Sequence, residues 1–438
     1  MSYNKLGALR FIEENDVKFI RLQFCDILGN LKNISISPQQ LSKAFDEGIS
    51  FDASSIKGFT SIEDSELFLF PDPTTLCILP WRPQHGKVAR LFCNIKRSDG
   101  TDFEGDSRAI LKNVFERAQS KGLIFKVGPE CEFFLLHTDS EGNPILKPAD
   151  QATYFDVAPL DQGENTRREI CLTLSDMGFE VESSHHESAP GQHEIDFKYE
   201  DVLRSADNIL SFKYIVKTIA KRNGLYASFM PKPFMNTSGS GMHINMSLYK
   251  DGENIFSSKH NEGLPIIAQQ FIAGILTHIK EITAICNPSI NSYKRIISGY
   301  EAPRHIAWSY KNRSSLIRVP ATQGGHHRIE LRSPDALCNP YLALALILSA
   351  GLEGIEHNLT LPPAFTQNAY ELSSEVLQNQ NIECLPLNLG EALSLMKKSE
   401  FIESILGYHI WNHYITEKEA EWQLYNQTVH DWEIKNYL

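Results

Sequence analysis

The stretch HHESAPGQHEID, residues 185–196, places two glutamates, Glu187 and Glu194, among three histidines, a proline and a glycine. Carboxylate oxygens and imidazole nitrogens are metal ligands in proteins, so the segment predicts a metal site. A solvated loop between two strands would have a similar composition. The choice between these two interpretations depends on which other side chains the fold brings to the same place.

Composition is that of an ordinary globular protein and argues against several classes of partner. The 438 residues are 42% hydrophobic and 22% charged, which predicts two domains with a large apolar core. The net charge of −12, without a lysine- or arginine-rich run, argues against nucleic acid. The amino terminus lacks a signal-peptide pattern, and the longest apolar stretch, YLALALILSAGL, is too short to span a membrane. Eight scattered cysteines without a CxxC pair indicate a reducing cytoplasm.

Hydrophobic periodicity predicts a small domain followed by a larger one. Residues 5–15 predict a helix, residues 17–37 a hairpin around a Gly-Asn turn, and residues 87–95 a further strand. The polar segment KRSDGTDFEGDSR, residues 96–108, is the preferred domain boundary. The expected domains are residues 1–103 and residues 104–438.

The larger domain mixes strand-like and helix-like segments without a regular βαβ repeat, which favours an α+β fold over a doubly wound sheet. From residue 385 onward the pattern is helical and rich in aromatic side chains. Such a tail is typical of a packing element or an oligomer contact.

Three strand-like segments of the larger domain carry polar side chains on one face and apolar side chains on the other. The polar faces hold Glu130 and Glu132 in VGPECEFFLL, His243, Asn245 and Ser247 in SGMHINMSLY, and Arg328, Glu330 and Arg332 in RIELRS. For any one of these strands alone, the polar side chains could simply form an outer face in contact with solvent. With the two glutamates of residues 185–196, however, they supply an oxygen-rich ligand set, which Mg²⁺ or Mn²⁺ prefers and Zn²⁺ does not.

Convergence of these carboxylates would be costly without cations. Two carboxylates about 5 Å apart repel by roughly 3 kcal/mol at an effective dielectric constant near 20. Several of them in one cleft would protonate or move apart. If the cleft exists, it therefore implies at least two divalent ions.

Several arginines whose side chains suit an anionic ligand are crowded into one span of about 40 residues. They are Arg295, Arg313, Arg318, Arg328 and Arg332. Guanidinium groups bind carboxylates and phosphates through paired hydrogen bonds, and metal ions together with arginines are typical of phosphoryl transfer. The chain contains neither a GxxxxGK[ST] loop nor a complete dinucleotide fingerprint, which disfavours a P-loop or Rossmann enzyme.

Several longer motifs follow one another along the chain. They include FDASSIKGF, GPECEFF, HHESAPGQHEIDF, NPSINSYKRIISGYEAP, NRSSLIRVP and RIELRSPD. Their order and spacing resemble those of type I glutamine synthetase, in the branch found in Bacillus and its relatives, over essentially the whole chain. The resemblance implies an amino-terminal β-grasp domain and a larger catalytic domain with a curved antiparallel sheet and surrounding helices. It also implies a homododecamer of two hexameric rings, with active sites between subunits and a helical tail that joins the rings.

The resemblance assigns roles to particular residues. One metal site would contain Glu132, Glu187 and Glu194, and the other Glu130, His243 and Glu330. The ATP site would include Glu182, Asn245, Ser247, Arg313, Arg318 and Arg328, and the glutamate site Ser238, Gly239, Arg295 and Arg332. Ammonium would meet Tyr154 and Glu187, with the adjacent subunit's Asp52 and the loop residue Glu301 assisting proton removal. Asp52, Glu301 and Arg313 are the catalytic residues that this resemblance implies.

The implied reaction is the ATP-dependent ligation of ammonia to L-glutamate through γ-glutamyl phosphate, which yields L-glutamine and serves nitrogen assimilation. One alternative is a γ-glutamyl-amine ligase that accepts a monoamine or polyamine on the same scaffold. A second alternative is an inactive scaffold that binds a regulatory protein.

Some positions depart from the family pattern. Ser238 stands where the family has an asparagine that touches glutamate, so substrate affinity or choice is expected to differ. Ser61 stands where the Bacillus-like branch has an arginine linked to feedback inhibition, which predicts weaker inhibition by glutamine. Tyr370 resembles the adenylylated tyrosine of the enteric branch but is interpreted as an ordinary surface residue. His185 and His186 are interpreted as structural.

Overall fold

The computed structural model describes residues 3–81, 86–257, 263–297, 302–321, 327–372 and 382–438. The strands of its amino-terminal part are β1 (Val17–Cys25), β2 (Leu31–Ile36), β3 (Ile49–Asp52), β4 (Glu66–Pro71), β5 (Cys77–Ile78) and β6 (Lys87–Lys96). Within the described residues they form one mixed sheet in the order β2-β1-β6-β4-β3, with β5 paired to β6. Helices α1 (Lys5–Glu14) and α2 (Leu41–Glu47) belong to the same part of the chain. The predicted helix, hairpin and later strand are confirmed.

The turn of the β1–β2 hairpin also joins the small sheet to the rest of the protein. Gly29 adopts a φ of +89°, and a Cβ added there would lie 2.9 Å from the Cα of Asn339. The Asn339 side chain donates hydrogen bonds to the carbonyls of Asp26 and Ile27 at 3.2 and 3.3 Å. A larger residue at position 29 would therefore disturb both the turn and this contact.

A large sheet forms the centre of the second part of the chain. Its strands are β7 (Leu123–Thr138), β8 (Pro144–Pro148), β9 (Val181–His186), β10 (Gln192–Phe197), β11 (Glu200–Asp201), β12 (Leu225–Ser228), β13 (Met242–Lys250), β14 (Glu253–Asn254), β15 (Trp308–Tyr310), β16 (Ile317–Val319) and β17 (Ile329–Leu331). In the described ranges the main path runs β15-β16-β17-β13-β7-β10-β9. The long strand β7 pairs antiparallel with β13 and β10, and so carries the centre of the sheet.

Helices surround this sheet. They are α3 (Ser107–Ser120), α4 (Glu164–Asp176), α5 (Val202–Arg222), α6 (Ile266–Cys286), α7 (Ile290–Ile297), α8 (Pro340–Glu356), α9 (Leu389–Lys397), α10 (Glu400–Gln427) and α11 (Asp431–Tyr437). The apolar helix α8 is buried from Pro340 to Leu352, as its composition predicts. The helical tail is confirmed by α9, α10 and α11, and α10 is interrupted at Gly407. Among the described residues no helix has the length and apolar character to cross a membrane.

A buried ion-pair group ties the two parts together. Arg108 on α3 donates to both carboxylate oxygens of Asp207 on α5, each at 3.0 Å, and to Asp72 at 2.9 Å. The Tyr341 hydroxyl donates to Asp207 at 2.6 Å.

The chain thus folds as a small sheet domain followed by a large sheet with surrounding helices. This confirms the expected α+β architecture.

Candidate active site

Strand register places the predicted polar faces side by side. In the β13–β7 pair His243 lies opposite Glu130, and in the β10–β7 pair Glu194 lies opposite Glu132. Strand β17 pairs with the other edge of β13 and adds Glu330. Side chains directly opposite each other on one face are about 5 Å apart. The acidic side chains therefore converge on one surface of the large sheet.

The first group, here called the Glu330 cluster, consists of Glu130, His243 and Glu330, whose ligand atoms lie within 4.8 Å of one another. His243 Nδ1 lies 3.2 Å from Glu130 Oε2 and 3.6 Å from Glu330 Oε1. Burial alone would raise the pKa of Glu130, but the hydrogen bond and charge of His243 and a hydrogen bond from Asn245 lower it to about 2. Glu130 is therefore a carboxylate at neutral pH, ready to bind a cation.

Two arginines neutralise Glu330, which is only 1% exposed. Arg318 Nη1 lies 2.8 Å from Glu330 Oε2, and Arg332 pairs with Glu330 Oε1. The buried Nε of Arg318 has no hydrogen-bond partner among the described residues. An unused guanidinium donor beside a cluster of metal-binding type suits an oxyanion such as a phosphate group.

The second group, here called the Glu194 cluster, consists of His185, Glu187 and Glu194, again with ligand atoms within 4.8 Å of one another. His185 Nε2 lies 2.9 Å from Glu187 Oε1 and 3.7 Å from Glu194 Oε1. Burial, with the charge of Asp196 and other carboxylates, raises the pKa of Glu194 well above its ordinary value. Crowded buried carboxylates of this kind are those that a divalent cation stabilises. His185, interpreted from the sequence as structural, thus lies inside the cluster.

Glu132 lies beside the Glu194 cluster and is oriented by neutral donors. Its Oε2 accepts hydrogen bonds from the Gly241 backbone N–H at 2.7 Å and from Gln192 Nε2 at 3.2 Å. Burial raises the pKa of Glu132, with the charge of Glu187 adding to the increase. Glu132 therefore shares the electrostatic environment of Glu187 and Glu194, the residues with which the resemblance groups it.

The predicted glutamate-binding residues surround a buried guanidinium group. Arg295 on α7 is 2% exposed and donates to the carbonyls of Ser333 and Arg332 at 2.8 and 3.1 Å. A Cβ added at Gly241 would lie 2.3 Å from Arg295 Nη2, and one added at Gly239 would lie 3.2 Å from its Cγ. Both glycines therefore permit the backbone to pass close to Arg295, and half-buried Ser238 directly precedes this segment.

A cavity of about 280 Å³ lies next to the Glu330 cluster. Four of the predicted ATP-binding residues line it, namely Glu182, Asn245, Ser247 and Arg328. Arg328 Nε donates to Asn245 Oδ1 at 2.8 Å, so the arginine is held along the cavity wall. The cavity and the cluster share Glu130, which gives a ligand in the cavity direct access to the metal-binding carboxylates.

Lys126 also lines the cavity, although it is not among the residues predicted from the sequence. The Lys126 amine lies 5.3 Å from the ring centroid of Tyr199 and 4.4 Å from that of Tyr249, within cation–π distance. Lys126 precedes Glu130 by four positions on β7 and so projects from the same face. Extending the alternation by two residue pairs toward the amino terminus would have identified it.

Tyr154 and Arg313 lie beside the Glu194 cluster. Tyr154 is 43% exposed, stacks on Phe155 with ring centroids 4.0 Å apart, and meets the ring of His185 edge-on at 5.7 Å. Burial and the charge of Glu187 raise the pKa of Tyr154, while Arg313 acts in the opposite direction. These contacts bring the predicted ammonium-pocket tyrosine and a predicted phosphate-binding arginine to one place.

Asp52 is not part of this assembly of residues within the described chain. It lies on the exposed end of β3, where its carboxylate accepts hydrogen bonds from the Ser54 backbone N–H at 2.9 Å and hydroxyl at 2.7 Å. These hydrogen bonds lower the pKa of Asp52. Glu301, the loop residue that the resemblance assigns to proton removal, lies outside the described residues.

Tyr370 is 37% exposed, in line with its interpretation as a surface residue. It also lies within electrostatic reach of the Arg295 and Arg332 guanidinium groups. The neighbouring Ala369 backbone N–H donates to Ser314 Oγ at 3.0 Å, which holds this segment against the loop that carries Arg313. Tyr370 is therefore at the edge of the site rather than remote from it.

Comparison with known protein families covers both parts of the chain. The model of the glutamine synthetase β-grasp domain matches residues 16–98, and that of the glutamine synthetase catalytic domain matches residues 104–437. Curated relatives include the glutamine synthetase of Clostridium saccharobutylicum, 52% identical with 100% of this chain and 99% of the relative covered. The Methanosarcina mazei enzyme is 50% identical, with 99% and 97% covered, and the Staphylococcus aureus Mu50 enzyme is 50% identical, with 100% and 98% covered.

Solved structures agree with these sequence relatives. A complex of GmaS with ADP superposes with a TM-score of 0.88 at 33% identity, covering 98% of each chain. The Plasmodium falciparum glutamine synthetase determined by cryo-electron microscopy superposes with a TM-score of 0.88 at 27% identity, covering 100% of this chain and 99% of that one. With family models, relatives and fold in agreement over the full length, the chain belongs to the glutamine synthetase family.

Proposed function

We propose that the chain joins ammonia to the γ-carboxylate of L-glutamate at the expense of ATP and so makes L-glutamine. The observation that carries this proposal is the convergence of the two carboxylate clusters, the arginines and the cavity on one face of the large sheet. This arrangement suits phosphoryl transfer to a carboxylate, in which a polyphosphate must be held and charge on the transferred group must be stabilised. Relatives that are about half identical to this chain carry the name of the same activity.

Two divalent cations, Mg²⁺ or Mn²⁺, are proposed for each active site. The Glu330 cluster would hold one, and Glu132 with Glu187 and Glu194 the other, with His185 adjacent. When bound, the ions would neutralise the carboxylates and polarise the phosphate oxygens. The donor set fits because it is mainly oxygen with a single histidine per cluster.

ATP would occupy the cavity, with its phosphates directed toward Glu130. The cavity residues Glu182, Asn245, Ser247 and Arg328 are proposed to contact the nucleotide. Arg318 and Arg313 would meet the γ-phosphate end, because Arg318 borders the Glu330 cluster and Arg313 borders Tyr154. Lys126, between its two tyrosine rings, would contact the opposite end of the nucleotide.

Glutamate is proposed to bind near Arg295 and Arg332, with Ser238 and Gly239 alongside. A γ-carboxylate oxygen would attack the γ-phosphorus, the bond to the β-phosphate oxygen would break, and ADP would leave. Ammonia would then attack the acyl carbon, and the phosphate group would depart with the former carboxylate oxygen. Arg313 is proposed to stabilise the charge on the transferred phosphoryl group.

Ammonium would lose its proton near Tyr154 and Glu187. Asp52 of an adjacent subunit is proposed to accept that proton, with the loop residue Glu301 assisting. Two features support a site shared between subunits. Asp52 is exposed on its own chain, and α11 leaves Trp432, Ile434 and Tyr437 exposed for a packing partner. We propose a homododecamer of two hexameric rings.

Three further proposals concern the chain as a whole. The domain boundary is proposed between residues 103 and 104, which lies in the gap between the two family-model matches. A cytoplasmic location is proposed because all eight cysteines are free thiols, as in reducing compartments. A regulatory protein is proposed as an additional partner, on the resemblance to the Bacillus-like branch.

Phosphate release from ATP tests the proposed function. The full-length protein is assayed with glutamate, Mg²⁺ and one acceptor at a time, namely ammonium, methylamine, ethanolamine or putrescine. The proposal predicts the highest kcat/KM with ammonium, and loss of at least 100-fold in Glu130→Gln. Glu116→Gln, an exposed substitution on α3, is the matched control and should retain activity. Turnover with amines but not ammonium would overturn the proposal, as would an active Glu130→Gln enzyme.

A further inference from the structure

A second group of titratable side chains lies buried outside the two clusters. Asp150, Asp161, His186 and His193 have ligand atoms within 4.8 Å of one another, as in a metal site. Arg167 stands among them, however, with Nη1 2.8 Å from Asp161 Oδ2 and 2.9 Å from His193 Nδ1. A guanidinium charge in this position repels any further cation. The group is therefore an ion-pair network and not a third metal site.

This network lies directly behind the Glu194 cluster. Strands β9 and β10 pair so that His193 lies opposite His186, and Glu194 lies opposite His185. Because successive side chains of a strand point to opposite faces, His186 and His193 are on the reverse face from Glu194. A buried layer of polar side chains therefore lies behind the acidic face of the β9–β10 hairpin.

The hairpin loop that carries Glu187 is held at both ends by one carboxylate. Asp150 Oδ1 accepts a hydrogen bond from the Gly191 backbone N–H at 2.8 Å and another from His186 Nε2 at 3.0 Å. His186 Nδ1 lies 2.7 Å from the carbonyl oxygen of Glu187 and donates to it. Asp150 therefore fixes the end of the loop at Gly191 directly, and the end at Glu187 through the imidazole ring.

Burial makes this arrangement rigid. His186 is 0% exposed, Asp150 is 4% exposed, and Glu187 itself is only 8% exposed. Further backbone donors, Ala152 and Gln162, approach the Asp150 carboxylate at 3.3 and 3.2 Å. The hydrogen bonds from these donors hold the Asp150 carboxylate in one orientation. The carboxylate in turn orients the His186 ring, and the ring holds the Glu187 carbonyl.

We propose that Asp150 and His186 are positioning residues for the metal site of the Glu194 cluster, acting by holding the Glu187 backbone. The inference rests on the proposed function only in taking Glu187 as a metal ligand. Groups that orient metal ligands from behind typically change metal affinity by about 10- to 100-fold when they are removed. His186 thus supports a ligand and does not contact the metal.

Two substitutions of one residue separate this role from general packing. In His186→Asn the amide nitrogen takes roughly the place of Nδ1 and keeps the bond to the Glu187 carbonyl. In His186→Gln the amide nitrogen takes roughly the place of Nε2 and keeps only the bond to Asp150. Mn²⁺ binding to the full-length assembled protein is measured by the electron paramagnetic resonance signal of free Mn²⁺, without substrates. Thermal unfolding is recorded for both variants.

We expect His186→Gln to weaken one class of Mn²⁺ site by about 10-fold or more and His186→Asn to weaken it by about threefold or less. The site of the Glu330 cluster should keep its affinity in both variants. His278→Gln, at a similarly buried histidine on α6, is the control for a general loss of stability and should not alter Mn²⁺ binding. Should His186→Gln fail to assemble, Asp150→Ala replaces it, with the same expected loss of affinity.

Equal Mn²⁺ affinity in wild type and His186→Gln would overturn the inference, as would equal losses in His186→Gln and His186→Asn. For Asp150→Ala, wild-type affinity would overturn it. A wild-type protein without Mn²⁺ binding would instead contradict the proposed function. The two failures are therefore distinguishable.

Discussion

Neutralising Glu330 should destabilise the protein and remove one metal response. In Glu330→Gln the buried Arg332 and the half-buried Arg318 lose their counter-charge. At about 4 Å and an effective dielectric constant near 20, each pair is worth roughly 4 kcal/mol before the desolvation of Glu330 is subtracted. Breaking a buried pair typically costs about 3–5 kcal/mol. We therefore expect the free energy of unfolding to fall by about 3–5 kcal/mol.

The assay is urea unfolding at fixed protomer concentration, with and without Mn²⁺. Each occupied site should raise the free energy of unfolding of the wild-type protein by about 2.7 kcal/mol when Mn²⁺ is present at 100 times its dissociation constant. Glu330→Gln should lack the contribution of one site. Glu116 is an exposed residue next to Lys112 on α3, so Glu116→Gln serves as the control. Its free energy of unfolding should equal that of wild type with and without Mn²⁺. A loss below about 1 kcal/mol in Glu330→Gln, or an undiminished Mn²⁺ response, would refute the reasoning.

Four further predictions follow from the same geometry. Gly241→Ala should raise KM for glutamate at least 10-fold, because the added Cβ would collide with Arg295 at 2.3 Å; unchanged KM in steady-state assays would contradict this. The folded state raises the pKa of Glu194 above its ordinary value of 4.5, so the folded protein holds the proton of this group more tightly than the unfolded chain does. In the absence of metal, the free energy of unfolding of wild type relative to Glu194→Gln should therefore fall as the pH rises above about 4.5, by at most about 1.4 kcal/mol per pH unit. A flat difference between the two urea-unfolding curves would argue against that shift. Lys126→Ala should raise KM for ATP several-fold and leave KM for glutamate unchanged, and equal changes in both would remove Lys126 from the nucleotide site. With Ser61 in place of arginine, glutamine should inhibit only weakly, so strong inhibition in the phosphate-release assay would refute this expectation.

The alternation of single strands could be read from the sequence, and it placed Glu130, His243 and Glu330 on polar faces. Their convergence could not be read in the same way. It depends on the register of β7 with β13, which joins residues more than 100 positions apart. A slip of one residue would have turned His243 into the apolar core. The resemblance to a known family carries that long-range information.

Other parts of the site had no local signal in the sequence. Asp150 precedes His186 by 36 positions, and nothing in the intervening sequence indicates that the two side chains meet. The approach of Gly241 to Arg295 depends on how a loop and a helix pack, which periodicity does not report. The proposed role of Asp52 needs a second subunit, so a single chain leaves that side chain capping its own turn.

Counting bound Mn²⁺ tests the central claim most directly. The two clusters on the large sheet predict at least two Mn²⁺ per chain in equilibrium dialysis at neutral pH. Glu330→Gln should remove one class of site and Glu194→Gln the other, while both variants keep the assembly of wild type. A wild-type protein that binds one Mn²⁺ or none, or two variants that bind Mn²⁺ as wild type does, would contradict the account.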